Sequence, residues 1–451
     1  MLLPGGAPLP SLGARGFSVL SLNVLIPNSV DGWWIYKMYP PGTAEAVTSW
    51  PARQALLRTT LRAADADVVT LQETSADSFA SDFDFMREAG YECTLHAKGR
   101  MRPATFWKAR RFARCLPDGA LAAPEAEAEA GLPTALAGAH SKDRSLITCL
   151  RLLDDDGAVL AGRPPVYIIN VHLTAGPEAA RRLRQVHEAL ETVRKLRAKA
   201  GVAAEPAAPC VVAGDFNSQG RSAVCELLCA GEVRPDFRES GDPTEHNQAE
   251  TAVTTKVKAQ SVGAFADAAA EAYAAAGAPR PPTMVAARLQ ERMVDDDGAP
   301  TAELRAAVDE CFDKLSADGE TFTAAEEARW LVAINRETGR GSESRAAAKR
   351  EGERLPRADF ARVYDEEVGA GKFWGVEHDL HVLRGAGLAR PDDAPFTAVF
   401  DYVYYTRDVL KLEGALEAVE PAELAATRSL PNARHASDHL PVGVALAFAD
   451  A

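Results

Sequence analysis

The sequence predicts an α/β fold interrupted by a helical insertion, and three observations carry that expectation. Apolar runs of strand length recur, each joined to residues able to hold a metal ion or a phosphate: 17–23 (FSVLSLN), 68–73 (VVTLQE), 166–172 (VYIINVH), 210–219 (CVVAGDFNSQ), 396–401 (FTAVFD) and the late 437–442 (SDHLPV). Amphipathic stretches with helical spacing separate several of these runs. From about 263 to 388 the strand-like runs give way to sequence rich in Ala, Glu and Arg, after which the last runs resume.

The elements follow in order. Run 17–23 is a buried strand that ends in Asn23. Residues 50–64 (WPARQALLRTTLRAA) should form a helix, because Pro51 suits a first turn and Leu56, Leu57 and Leu61 share one face. With run 68–73 this makes a β-α-β passage. Between strand and helix lies the aromatic segment 31–41 (DGWWIYKMYPP), which has two readings: a hydrophobic plug on the core, or a rim on which Trp33, Trp34 and Tyr36 stack bases. His96, Lys98, Arg100 and Arg102 precede the strand-like ATFW and either neutralise phosphate or form a solvated face, the commoner fate of such a cluster.

Segment 117–139 lacks any strand period and reads as a flexible insertion. Residues 146–153 and 166–173 read as a hairpin whose connection opens on the turn DDDG. In 177–199, Leu183, Val186, Leu190, Val193 and Leu196 recur at helical spacing beneath a basic outer face. In 210–219, Val211, Val212 and Ala213 lead through a turn at Gly214 to Asp215 and Asn217, an acid beside an amide that can orient water and bind a hard cation. Taken alone, G-D-x-N is equally well a polar strand end. Residues 223–229 (AVCELLC) form a further short helix.

Composition bounds the function. A chain of 451 residues with 47% hydrophobic side chains can bury a large core. Its net charge of -14 argues against a broad basic face for duplex nucleic acid, while a short single strand still fits a local basic cleft. The seven cysteines are scattered, lie mostly in apolar runs and lack metal-ligand spacing, as in a reduced intracellular protein; a cytoplasmic location is expected. No apolar run reaches the length of a membrane span, and the first residues read as an irregular leader.

The runs bear in turn Asn23, Glu73, His172, Asp215 with Asn217, Asp401, and Asp438 with His439, an order that resembles the endonuclease/exonuclease/phosphatase superfamily. S-L-N-V-L before an aromatic segment, W-x-x-R at Trp50 and Arg53, D-V-V-T-L-Q-E, A-T-F-W-K and N-V-H-L are similar to its deadenylase branch, which includes carbon catabolite repressor-type nucleases, nocturnin and 2′,5′-phosphodiesterases. The resemblance implies a two-sheet α/β sandwich and a Mg²⁺-dependent hydrolase, with Mn²⁺ able to substitute, acting as a 3′-exonuclease on single-stranded RNA or oligoadenylate. It implies Glu73 as the main metal ligand with Asn23 and Asp438 beside it, and Asp215, helped by Asn217, as the group that activates water. His172 and His439 would contact the scissile phosphate, with Asp401 fixing the tautomer of His439. Arg53 joins Trp33, Trp34 and Tyr36 as a candidate substrate contact.

Singly, each of these residues has a more common structural role, such as a turn-closing Asn or a satisfied core His. Their convergence on one edge of a sandwich is what points to catalysis. Two other readings stand: a phosphatase or phosphodiesterase acting on a small nucleotide or phospholipid headgroup, and an inactive scaffold that holds a protein partner through the insertion.

Inside the insertion, 311–331 (CFDKLSADGETFTAAEEARWL) resembles an EF-hand, with Ser316, Asp318 and Glu320 as candidate early calcium ligands and Glu326 or Glu327 as the last. Thr321 stands where the turn Gly belongs, and counted to Glu326 the loop is one residue short. With a second loop at 335–341, the expectation is a paired EF-hand-like module that binds Ca²⁺ weakly or not at all. The expected division is a first sandwich part at 1–262, the insertion at 263–388 and a final sandwich part at 389–451.

Overall fold

The structure, a computed structural model, describes residues 1–122, 138–202, 208–240, 250–349, 352–417 and 419–449. Two seven-stranded sheets lie face to face. The first runs in space Leu2–Leu3, Leu410–Leu416, Val442–Phe448, Gly16–Asn23, Val68–Ser75, Met101–Lys108, Tyr91–Leu95. The second runs Phe265–Asp267, Asp401–Thr406, Cys210–Asp215, Val166–His172, Ser145–Leu152, Phe112–Arg114, with Ala139–Lys142 also paired to Ser145–Leu152.

Central strands covered on both faces read as continuous apolar runs, and alternation then assigns each side chain to a layer. Phe17, Val19, Val211 and Ala213 fill the space between the sheets. Leu20 and Leu22 meet Leu57 and Leu61 of the helix Trp50–Ala64 outside the first sheet. Cys210 and Val212 meet Leu183, Val186, Leu190 and Val193 of the helix Ala179–Lys199 outside the second. The helices at Trp50–Ala64 and Ala223–Cys229 form with the expected bounds, and the hairpin forms with Ile147 opposite Ile169. Of the segment expected to be a flexible insertion, 123–137 lies outside the described residues.

Run 396–401 differs from expectation. It does not form one strand ending in Asp401; Phe396–Ala398 pairs with Met284–Ala286, and Asp401 opens the next strand, antiparallel to Cys210–Asp215. An antiparallel strand begins at the sheet edge where its neighbour ends, so Asp401 still arrives at the same edge.

The insertion has its own core, drawn from residues between Leu289 and Leu388 and centred on Phe312, Phe322, Trp330, Phe360 and Tyr364; the Phe312 and Phe322 rings stack 4.4 Å apart. Its expected start at 263 is too early. Phe265–Asp267 pairs with Asp401–Thr406, and the helix Ala268–Ala275 packs Ala268, Ala269 and Ala272 into the core between the sheets. The chain leaves and re-enters the sandwich through the ladder of Met284–Ala286 with Phe396–Ala398, which keeps exit and return adjacent.

Two helix–loop–helix units lie within the insertion, joined by an antiparallel pairing of Thr321–Phe322 with Leu355–Pro356. The partner of the first loop thus precedes the helix Arg357–Gly369, whereas 335–341 only links the helices Ala324–Asn335 and Gly341–Ala347. In the first loop the acids serve the backbone. Asp318 accepts the N–H groups of Glu320 and Thr321, each at 2.8 Å, and pairs with Arg354 at 2.7 Å. Glu326 accepts from Thr323 at 2.7 Å and Ala317 at 2.8 Å, closing a capping box on the helix. These bonds hold Asp318 far below the usual carboxyl range and Glu326 at about 2. Ser316 donates to Asp318, Glu320 is exposed, and Glu327 sits in the first turn of the helix. A Ca²⁺ ion would have to displace an Arg and several N–H groups from these acids. Calorimetric titration of the full chain is expected to show no micromolar Ca²⁺ site; a stoichiometric one would overturn this.

Candidate functional site

Strand parity decides which side chains reach the cleft between the sheets. Asn23 shares the parity of Phe17 and Val19, Asp215 that of Val211 and Ala213, His172 that of Val166 and Ile168, and Asp401 that of Val403 and Tyr405, all of which face inward. His172, Asp215 and Asp401 stand abreast on three neighbouring strands, with Asp215 in register with His172 on one side and Asp401 on the other. Gly214 is required here: its φ is 145°, and a Cβ would lie 1.9 Å from the Val171 carbonyl oxygen.

Glu73 has the wrong parity. Val69 and Leu71 point away to the helical layer, and simple alternation would send Glu73 after them. The register of its strand slips between Leu71 and Thr74, Glu73 takes a left-handed φ of 61°, and this bulge turns its carboxylate into the cleft.

The amide of Asn23 joins the two sheets, its Nδ2 donating to Glu73 Oε1 at 3.2 Å and to Asp215 Oδ2 at 3.0 Å. The following backbone completes the grip. Leu25 N–H donates to Asn23 Oδ1 at 3.0 Å and Ile26 N–H to Glu73 Oε2 at 3.2 Å. Asn217 reaches Asp215 through a left-handed turn, φ 46°, rather than by strand alternation; its N–H and Nδ2 donate to the two Asp215 oxygens at 2.8 and 3.2 Å. His172 Nε2 lies 3.7 Å from both Glu73 Oε1 and Asp215 Oδ2. His439 presents Nε2 at 3.9 Å from Asp215 Oδ2, and its Nδ1 meets Asp401 Oδ2 at 2.8 Å. Asp438 and His439 are held by Ser437, which donates to the Asn23 carbonyl at 2.6 Å and accepts His439 N–H at 3.1 Å.

Burial and neighbours separate the acids. Burial pushes the Asp215 carboxyl up, and Asp401 adds to this against the pull of His439 and His172. Burial raises Asp438 as well. Glu73 goes the other way: burial opposes its charge, but His172, the Asn23 amide and the Ile26 N–H outweigh it and hold the carboxyl below its ordinary range. For His439 burial disfavours the cation, yet Asp401, Asp438 and Asp215 hold it well above the usual imidazole value.

The donors suit a hard divalent cation. Asp215, Asp401 and His439 each offer one atom, all within 4.8 Å of one another, and the surrounding donors are mostly carboxylate oxygens, with Glu73 ionised. Asp401 Oδ1 and His172 Nδ1 are buried without a hydrogen-bond partner among the described residues, the kind of open polar atom that a bound group or water satisfies.

The remaining candidates divide. Tyr36 is docked on the insertion, its hydroxyl donating to the Ile334 carbonyl at 2.9 Å beneath the Arg336 guanidinium, 3.8 Å from the ring centre. Trp33 and Trp34 remain partly exposed under Arg340 and Arg100, while Ile35 and Tyr39 plug the core against Leu25 and Ile26, as the plug reading of the segment expects. His96 is buried with its two ring nitrogens on the carbonyls of Lys98 and Lys142, and Arg100 pairs with Asp31, so these two serve the protein's own structure. Arg53 is not a substrate contact, because it is 0% exposed and bonds to backbone carbonyls.

Behind the site lies an amide pair that the motifs do not include. Gln72 Nε2 donates to Asn170 Oδ1 at 2.9 Å, and Asn170 Nδ2 to the carbonyls of Leu71 and Ala104 at 3.1 and 2.9 Å, stitching the sheets together. The signal for it is a polar residue of inward parity inside an apolar run.

The sequence profile of the Endonuclease/Exonuclease/phosphatase family matches residues 21–439. No curated protein matches the chain in sequence. Among solved structures, that of ANGEL2, a 2′,3′-cyclic phosphatase, superposes with a TM-score of 0.52 at 14% identity, covering 96% of this chain and 95% of the other. The human Nocturnin catalytic domain with bound sulfate gives 0.43 at 14% identity, covering 99% and 100%. At 14% identity the likeness to ANGEL2 is one of fold.

Proposed function

The chain belongs to the endonuclease/exonuclease/phosphatase family, hydrolases of phosphoester bonds, and from that premise we propose a Mg²⁺-dependent phosphodiesterase that trims single-stranded RNA or oligoadenylate from the 3′ end. The observation that carries the reading is the row of His172, Asp215 and Asp401 across the second sheet, faced by Asn23 and Glu73 from the first and closed by His439. Glu73, with Asn23 and Asp438, would hold Mg²⁺ or Mn²⁺, which when bound offsets charge developing on the phosphate.

The protein's own groups supply the remainder. Asp215 is gripped by Asn23 and Asn217 and carries a raised pKa, so it orients and deprotonates the attacking water. His172 and His439 flank Asp215 and donate to phosphate oxygens; Asp401 fixes the His439 tautomer, leaving Nε2 toward the cleft. Partly exposed Trp33 and Trp34 offer stacking faces, worth about 1–3 kcal/mol per base. The charge of -14 disfavours a duplex footprint.

Initial rates are compared on single-stranded oligoadenylate, duplex DNA, inositol phosphates and adenosine 2′,3′-cyclic phosphate at matched ionic strength, with Mg²⁺, Mn²⁺ or chelator. Turnover is expected only with metal, and fastest on oligoadenylate. Faster cleavage of any other substrate overturns the RNA assignment and leaves the metal mechanism standing. No metal-dependent turnover on any of them supports the scaffold reading, with the insertion as the partner surface. Among the described residues no helix is long and apolar enough to cross a membrane.

A further inference from the structure

Arg53 sits inside the helix Trp50–Ala64 with no exposed surface, and its guanidinium bonds almost wholly to main chain. Nε donates to the Ala436 carbonyl at 2.9 Å, Nη1 to the Ile26 carbonyl at 3.1 Å and Asn28 Oδ1 at 2.8 Å, and Nη2 to the carbonyls of Val24, at 3.0 Å, and Leu25. A buried cation is costly unless its donors are satisfied, and here a set of carbonyls from two distant segments does so. Those segments are specific ones. Val24, Leu25 and Ile26 follow Asn23 directly, and the N–H groups of Leu25 and Ile26 hold Asn23 Oδ1 and Glu73 Oε2. Ala436 directly precedes Ser437, Asp438 and His439, and Ser437 in turn bonds the Asn23 carbonyl.

We propose that Arg53 is a positioning residue that fixes the spacing between the Asn23–Glu73 pair and the Asp438–His439 pair, and so the geometry of the cleft in which the metal is held. The proposal rests on the metal reading given above. A single planar fork with five donors spans both segments, whereas the ammonium of a Lys is a point from which the Ala436 carbonyl and the carbonyls of Val24 to Ile26 cannot all be reached. Arg53→Lys therefore keeps the charge and loses the spacing.

The test compares parent, Arg53→Lys, Asn28→Ala and a destabilised control in the insertion core, Phe360→Leu. Melting temperature, Mn²⁺ affinity by electron paramagnetic resonance without substrate, and kcat with KM are measured on each. In Arg53→Lys, Mn²⁺ affinity and kcat are each expected to fall about 10–100-fold, the usual effect of removing a support behind a metal ligand, with KM changed less than about threefold. Phe360→Leu should keep the affinity and kcat of the parent despite a lower melting temperature. Parent-like Mn²⁺ binding and turnover in Arg53→Lys, or equal losses in Phe360→Leu, would overturn the proposal. Asn28→Ala retains the guanidinium and removes its side-chain acceptor, so it stays readable if Arg53→Lys does not fold; a smaller loss of Mn²⁺ affinity supports the proposal and an unchanged affinity refutes it. A parent that binds no Mn²⁺ refutes the metal reading itself, a different outcome from a parent that binds it and an Arg53→Lys that binds equally well.

Discussion

Asp215→Asn is expected to lower kcat by about 10²–10⁴-fold, the contribution of a positioned general base, while melting close to the parent temperature. The substitution preserves shape and keeps an acceptor for the Asn217 N–H, but it places an amide where water must lose a proton. It also removes an acceptor that Asn23 and Asn217 share on Oδ2. Stability should change little because the folded protein holds this carboxyl above its ordinary pKa. For an acid that sign means that folding disfavours the ionised form, so stability is gained as pH falls through the folded pKa, and removing the charge offsets the weakened hydrogen bonds. Single-turnover rates and thermal melts are the measurements. A variant that retains more than about a tenth of the parental rate would take the role of base away from Asp215.

Lys37→Met is expected to destabilise the fold by about 3–5 kcal/mol, the cost of breaking a buried ion pair and stranding its partners. Lys37 Nζ lies 3.1 Å from Glu343 Oε1 and 3.0 Å from Asp379 Oδ1, and the three side chains are 3%, 7% and 1% exposed. The pair of acids comes from the insertion, whereas Lys37 belongs to the aromatic segment that continues from Asn23, so this triad is a buried polar seam between the two cores. Burial would lower the Lys37 pKa, but Asp379 and Glu343 overcome it and raise it. A base whose folded pKa is raised contributes fully below its unfolded pKa and loses that contribution as pH rises through the folded value, so the effect is complete at neutral pH. Urea unfolding near neutrality measures it. A loss under about 1 kcal/mol would mean that the seam is wet or rearranges, and adding Glu343→Gln with Asp379→Asn to Lys37→Met should recover part of the loss.

The seam also explains why the aromatic segment resisted assignment from sequence. DGWWIYKMYPP contains nothing to say that Tyr36 and Lys37 would bond to residues near 334, 343 and 379. Likewise W-x-x-R marks Arg53 as unusual, but a motif cannot distinguish an Arg that faces a substrate from one that faces four carbonyls. The second loop of the insertion was misplaced for the same reason, since pairing of Thr321–Phe322 with Leu355–Pro356 is a contact between residues far apart in the chain.

By itself the sequence determined the runs that become the strands Gly16–Asn23, Val68–Ser75, Val166–His172 and Cys210–Asp215 and the helices at Trp50–Ala64 and Ala223–Cys229, because apolar runs and helical spacing are local patterns. Only the tertiary structure decided the rest. Glu73 enters the cleft through a bulge that reverses its parity, Asp401 enters from the start of an antiparallel strand, and Asn217 reaches Asp215 through a left-handed turn. Each depends on register between strands, which is fixed by packing across the sandwich and leaves no periodic trace in the residues that carry it.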